Sequence, residues 1–225
     1  MKKAKVSDMF FSSQGEGIYA GVPQLFVRFY GCGFNCRFCD TALTAYEKYT
    51  ALELYNRMKR FTRQYHSLCL TGGEPLLQQE FLKEFLQLVK YDGVTTYLET
   101  NGILAEALGE VIDNIDIIAM DFKLPSSTGI REHWAQHRRF LKAALKKEVF
   151  VKMVITLATS REDIDEAINL ILAVKARKVP VILQPDSFQL SRELLAEVRK
   201  WQKYLGQHLP RVEVIPQLHK ITGVK

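Results

Sequence analysis

No apolar run in this 225-residue chain approaches the roughly 20 residues that span a bilayer. The basic opening Met1-Lys2-Lys3-Ala4-Lys5 lacks the apolar stretch that would follow it in an export signal, so a cytoplasmic location is expected. Low-complexity segments, linkers and internal repeats are missing too, which points to a single domain over 1–225 with a full hydrophobic core. Cysteine is scarce: of four, three are crowded together, which fits a ligand set in a reducing compartment better than a disulfide framework. Also lacking is any recognised nucleic-acid module to accompany the net charge of +6. Much of that charge falls in the stretch Arg131, His133, His137, Arg138, Arg139, Lys142, Lys146 and Lys147, opposite Trp134, Phe140, Leu141 and Leu145. Such a pattern reads as the solvated face of an amphipathic helix, with nucleic-acid contact the minor reading and an anionic small substrate an equal fit.

What is present concentrates near residue 35. Cys32, Cys36 and Cys39 stand four and three residues apart, just after the apolar run from Leu25 to Tyr30. Three thiolates so placed can hold an iron-sulfur cluster while leaving one iron without a cysteine, because a cubane normally takes four. Zinc is the competing reading, but a structural zinc site wants four ligands and none of the histidines adjoins the trio. Three buried structural thiols are a weaker alternative, because the intervening residues Gly33, Phe34, Asn35, Arg37 and Phe38 look like a loop. The fourth cysteine, Cys69, lies inside Ser67-Leu68-Cys69-Leu70 and reads as a packed strand residue.

Periodicity predicts strands over 23–30, 66–70, 95–99, 115–121, 149–156, 180–184 and near 211–215. Helices are predicted over 50–61, 76–91, 103–113, 131–147, 161–177 and 191–206. Pro23 opens the first strand, where a missing donor does least harm. Thr50 is a candidate cap for the first helix, with Leu52, Leu54, Tyr55 and Met58 in its apolar stripe. Alternating β and α implies right-handed crossovers and a parallel sheet able to curl into a partial or full barrel. Functional groups in such folds sit at the carboxyl ends of strands. Here those ends carry Gly31-Cys32, Thr71-Gly72-Gly73-Glu74, Glu99-Thr100-Asn101-Gly102, Asp121-Phe122-Lys123, Lys152 to Thr156 and Gln184-Pro185-Asp186. Each alone reads as a capped turn; six together read as a site.

The octet Cys32-Gly33-Phe34-Asn35-Cys36-Arg37-Phe38-Cys39 and the turn Gly72-Gly73-Glu74-Pro75 jointly resemble the radical S-adenosylmethionine (SAM) enzymes. That resemblance implies an α/β fold, a partial (β/α)6 TIM-like barrel. It implies a [4Fe-4S] cluster on Cys32, Cys36 and Cys39, with SAM chelated at the open iron. The amino group of SAM falls to the turn Gly72, Gly73 and Glu74, while Glu99, Lys123 and Gln184 are candidates for its ribose, carboxylate and adenosine contacts. An electron donor such as flavodoxin or ferredoxin is implied as well.

A narrower likeness runs along nearly the whole chain. Ser12-Ser13-Gln14-Gly15-Glu16-Gly17, Gly21-Val22-Pro23, Phe26-Val27-Arg28, Cys39-Asp40-Thr41, Glu99-Thr100-Asn101-Gly102, Asp121 to Ser126 and Pro216-Gln217-Leu218-His219-Lys220 are similar to the 7-carboxy-7-deazaguanine synthases. Those enzymes convert 6-carboxytetrahydropterin to 7-carboxy-7-deazaguanine, with Mg2+ beside the cluster, on the route to queuosine and related deazapurines. The likeness implies that Gln14, Gly15, Glu16, Arg28 and His219 bind the pterin and that Thr41 is a magnesium ligand. Physically, the Glu16 carboxylate suits the N–H edge of a pterin and the Arg28 guanidinium suits its carboxylate; taken singly, Arg28 reads equally as a surface strand residue and His219 as a tail histidine without a role. The cofactors perform the difficult steps, and no side chain is assigned as acid, base or nucleophile. The chain departs from the family pattern at Gly33, where asparagine is usual, at Phe38, where tryptophan is frequent, and at Ala42-Leu43. Two rivals share part of the pattern: an activase that makes a glycyl radical on a partner protein, and a non-enzymatic iron-sulfur electron carrier. The activase has no reason for the segment Gln14 to Gly17, and the carrier has none for a barrel of polar strand ends. A partial barrel with an apolar flank also suits a homodimer.

Overall fold

The computed structural model describes residues 2–39, 41, 43–218, 220 and 223. In chain order its elements are β1 (Ala4–Ser13), β2 (Pro23–Phe29), β3 (Glu47–Tyr49), α1 (Ala51–Met58), β4 (Ser67–Gly72), α2 (Gln79–Tyr91), β5 (Thr96–Thr100), α3 (Ala105–Val111), β6 (Ile117–Asp121), α4 (Pro125–Thr128), α5 (Trp134–Ala144), β7 (Glu148–Ile155), α6 (Arg161–Ala173), β8 (Val181–Pro185), α7 (Arg192–Leu205) and β9 (Val212–Val214). The strands lie in one sheet ordered β3-β1-β2-β4-β5-β6-β7-β8-β9. From β2 to β9 every pairing is parallel. Six β/α units make a partial barrel whose sheet stays open between β3 and β9. No helix among the described residues is long and apolar enough to cross a membrane.

One departure from strict alternation lies at the start of the chain. β1 pairs antiparallel with both β2 and β3. A register shift between Val6 and Asp8 interrupts its period of two, which hides this strand from pattern reading. The helix expected over 50–61 is shorter, Ala51–Met58. Thr50 does cap it, in a reciprocal box with Glu53, while Leu52 points outward at 54% exposure. The basic helix begins at Trp134 rather than residue 131. His133 and His137, grouped above with the solvated charge, are buried. His137 stacks flat on Phe122 at 5.1 Å, and burial drives its imidazole down to about 3, so it is neutral.

The strands' alternate side chains sort into two layers. Leu25, Val27, Phe29, Leu68, Leu70, Leu98, Ile118 and Met120 face the helices and join the main core. The concave face instead carries Phe26, Cys69, Tyr97, Ile117, Ala119, Phe150 and Ile182, with Phe10, Ile18 and Tyr19 packed over them. The segment after β1 therefore crosses the hollow of the sheet. It passes so close to β7 that a Cβ on Gly17, whose φ is +67°, would stand 2.5 Å from the Phe150 ring. Nearer the carboxyl ends the same face turns polar, and the chemistry gathers there.

Candidate active site

Two glycines bring the separate loops together. Gly72 has φ +124°, and a Cβ there would lie 2.2 Å from the Phe29 carbonyl oxygen; one on Gly73 would lie 2.0 Å from that of Gly31. The close approach allows Gly73 N–H to donate to Phe29 O at 3.1 Å and Glu74 N–H to Gly31 O at 2.8 Å. The end of β4 is thereby fastened to the start of the cysteine loop. Further along that loop, Arg37 N–H donates to Thr128 O at 3.0 Å, and the Arg37 side chain lies over Gly129, the left-handed cap of α4. Phe34 packs on His133 at 4.8 Å. The loop has no regular structure of its own, so these contacts set its position.

Cys32, Cys36 and Cys39 all line one cavity of about 460 Å³. Burial pushes the Cys32 and Cys36 thiols above their usual value, and Lys123 pulls both back. Phe34 N–H donates to the Cys32 sulfur at 3.4 Å. Among the described residues no three Cys, His, Asp or Glu side chains converge on a single metal-ion position. Three thiols on the wall of one cavity are a donor set that fits a cluster, in which each thiolate takes a different iron. The fourth cysteine, Cys69, is fully buried in the layer beneath.

Arg28, Thr71, Glu99, Asp121, Lys123, Lys152 and Gln184 line the same cavity from the strand ends. An alternating ladder of charge runs through them. Lys123 reaches Asp121 at 2.7 Å, Lys152 lies 3.2 Å from the other Asp121 oxygen, and Lys152 also pairs with Glu16. Burial would raise the Asp121 carboxyl, but Lys123 and Lys152 together hold it below its usual range. Burial would likewise lower the Lys152 ammonium, yet Asp121, Glu16 and Glu99 hold it above. Glu99 is raised by burial and by Glu16 despite Lys152, and it accepts bonds from Thr71 Oγ1 and, at 2.9 Å, from Gln14 Nε2.

Of the residues expected at the site, Gln14, Gly15, Glu16, Arg28, the three cysteines, Thr41, Gly72, Gly73, Glu99, Lys123 and Gln184 line the cavity. His219 lies outside the described residues. Arg28 is half-buried beside Phe10, 5.5 Å from its ring centroid, and Gln184 Oε1 is buried without a partner among the described residues. Two of the expected residues carry bonds within the protein. Glu74 does not reach the cavity: its buried carboxylate accepts from Asn101 N–H at 2.8 Å, Leu76 N–H at 3.1 Å and Thr100 Oγ1 at 2.9 Å. It ties the ends of β4 and β5 together. Gln14 is engaged inward, donating to Gln24 Oε1 at 2.8 Å and to Glu99, and accepting from Glu16 N–H at 3.1 Å. Lys152 reads in the sequence only as a strand end, although a lone lysine in the apolar run Val149 to Ile155 is a signal in itself. Gln217, which donates to Glu16 Oε1 at 2.6 Å, gave no such signal.

Comparison with known proteins places this geometry. The Radical SAM superfamily matches residues 26–171. The 7-carboxy-7-deazaguanine synthase of Geobacter sulfurreducens is 32% identical, covering 98% of this chain and 97% of its own. That of Aquifex aeolicus is 33% identical, covering 98% and 94%. The crystal structure of QueE from Escherichia coli superposes with a TM-score of 0.68 at 20% identity, covering 96% of this chain and 95% of its own. At that identity the structure speaks for the fold.

Proposed function

The chain belongs to the radical SAM superfamily and, within it, to the 7-carboxy-7-deazaguanine synthases, and we propose that the cavity at its strand ends divides into a cofactor side built on the cysteine loop and a substrate side built on Glu16 and Arg28. The enzyme converts 6-carboxytetrahydropterin to 7-carboxy-7-deazaguanine by radical ring contraction with loss of ammonia, using a [4Fe-4S] cluster, SAM and Mg2+. When bound, the reduced cluster and SAM supply the hydrogen-abstracting radical that starts the reaction. Everything else falls to positioning.

Cys32, Cys36 and Cys39 are read as the cluster ligands, with the Gly72-Gly73 backbone beside them for the methionyl amino group. Lys123 is a cation for the SAM carboxylate and Glu99 an acceptor for ribose hydroxyls. Gln184, with its buried Oε1 unpartnered, is left to accept from the adenosine. Glu16 receives the pterin N–H edge and Arg28 its carboxylate. Gly15 contributes backbone at the same edge, and His219 belongs with the substrate contacts by resemblance. Thr41 offers a hard oxygen to Mg2+, with substrate oxygens and water completing its shell. We take residues 1–225 as a single cytoplasmic radical SAM domain that works as a homodimer with a flavodoxin or ferredoxin as reductant.

The observation that carries this reading is that three thiols, the glycine pair, Arg28 and Glu16 share one cavity. Incubating reduced, cluster-loaded protein with SAM and 6-carboxytetrahydropterin should yield 7-carboxy-7-deazaguanine by mass detection. An activase or an electron carrier would release none.

Two substitutions divide the cavity. Arg28→Ala should cut product formation about 30-fold or more, as expected for losing a charged partner of a buried carboxylate, while slow uncoupled SAM cleavage persists. Loss of that cleavage in folded, cluster-loaded protein would place Arg28 at the cofactor instead. Thr41→Ala removes one oxygen and little volume, so the cluster should survive. Turnover should drop roughly tenfold, the scale on which even the outer partners of a metal count, with partial recovery in added Mg2+. Unchanged turnover and metal response would remove Thr41 from the magnesium site.

A further inference from the structure

Lys152 has no part in the division of labour above, yet it is the most enclosed cation of the cavity wall, with 11% of its side chain exposed. It stands alone in an apolar strand, and its ammonium bridges Glu16 Oε2 and Asp121 Oδ1. Glu16 sits on a segment with little regular structure, held by Lys152 from β7 and by Gln184 from β8 at 3.4 Å. The C-terminal segment adds Gln217 at 2.6 Å and a backbone bond from Leu218 N–H to Gly15 O at 2.8 Å. Only one of these contacts carries charge.

We propose that Lys152 is a positioning residue for substrate recognition: it fixes the Glu16 carboxylate, facing the cavity, so that it accepts the N–H edge of the pterin. The proposal rests on the reading of Glu16 as the substrate acceptor. Two other roles fit the geometry less well. Lys152 makes a poor general base or ready acid, because the carboxylates around it hold the ammonium protonated well above its usual range. A purely structural ion pair is also a weak reason for a lysine here, since apolar replacements of buried pairs are often neutral for stability. What an apolar residue at 152 does remove is the one cationic contact that aims Glu16.

The test is equilibrium binding of 6-carboxytetrahydropterin, by anaerobic calorimetry, to cluster-loaded and SAM-loaded enzyme without reductant, so that nothing turns over. Wild-type binding, weakened in Glu16→Gln alone, checks the underlying reading. Given that binding, Lys152→Met should weaken it about 30-fold, the cost of leaving a buried carboxylate unpaired, and Lys152→Arg should recover part of the loss. In a Glu16→Gln background, Lys152→Met should cost less than about threefold more, because its effect runs through Glu16. Wild-type affinity in Lys152→Met, or an equal further loss in the Glu16→Gln background, overturns the proposal. Should the methionine variant fail to fold, Lys152→Gln carries the same cycle.

Discussion

Alanine at any one of Cys32, Cys36 or Cys39 should abolish the cluster absorbance and every trace of SAM cleavage, whereas Cys69→Ala should keep both. The reasoning is one of counting and place. Three thiols border the cavity, and no other cysteine is near enough to substitute: Cys69 is fully buried in the layer below. With three ligands holding a cubane, loss of one leaves two irons without protein ligands. Cys32 and Cys36 also sit where burial works against ionisation of their thiols, which the metal's charge must offset. Iron content and visible absorbance after anaerobic reconstitution report the cluster, and 5'-deoxyadenosine formation reports cleavage. Normal iron and activity in the Cys36 variant would show the ligand assignment to be mistaken.

Legibility followed the length scale of each interaction. The parallel part of the sheet was readable because each strand from β4 to β8 is a short apolar run that a helix follows. β1 was not, because a bulge breaks its alternation and its partners lie elsewhere in the chain. The cysteine trio and the glycine pair were legible from local spacing. Their juxtaposition was not: nothing in sequence says that Gly73 lies against Gly31. The internal bonds of Glu74 and Gln14 escaped for the same reason. Each is a polar residue inside a recognisable motif, but its partners, Asn101 and Thr100 for one and Gln24 and Glu99 for the other, come from distant strands. Lys152 shows the opposite case, a residue outside any motif that topology sets between two carboxylates.

That hidden juxtaposition carries the second large effect. Gly73→Ala should collapse the site, and Gly72→Ala should do so as well, while Gly33→Ala in the same neighbourhood should be tolerated. A Cβ on Gly73 meets the Gly31 oxygen at 2.0 Å and the Cys32 Cβ at 3.0 Å. Both obstacles belong to the loop that must hold the cluster, and the nearer is backbone, which has no rotamer with which to yield. Relief requires parting the loop from β4, breaking the Glu74 N–H bond to Gly31 O and moving Cys32 out of line. At Gly72 the clash with Phe29 backbone adds to a φ of +124°, a conformation essentially confined to glycine. Overpacking alone costs about 1–3 kcal/mol and such strain a similar amount, a large part of a domain's roughly 5–15 kcal/mol. Among the described residues nothing stands within 4 Å of a carbon added at Gly33, so alanine there meets no obstacle from them. Thermal unfolding, cluster absorbance and calorimetric SAM binding distinguish the three variants: the first two should lose SAM binding with a marked fall in Tm, and the third should match wild type. Full cluster content and wild-type SAM affinity in Gly73→Ala would mean that the cysteine loop is positioned by its contacts with Thr128 and His133 alone, and that the glycine pair serves only the strand end.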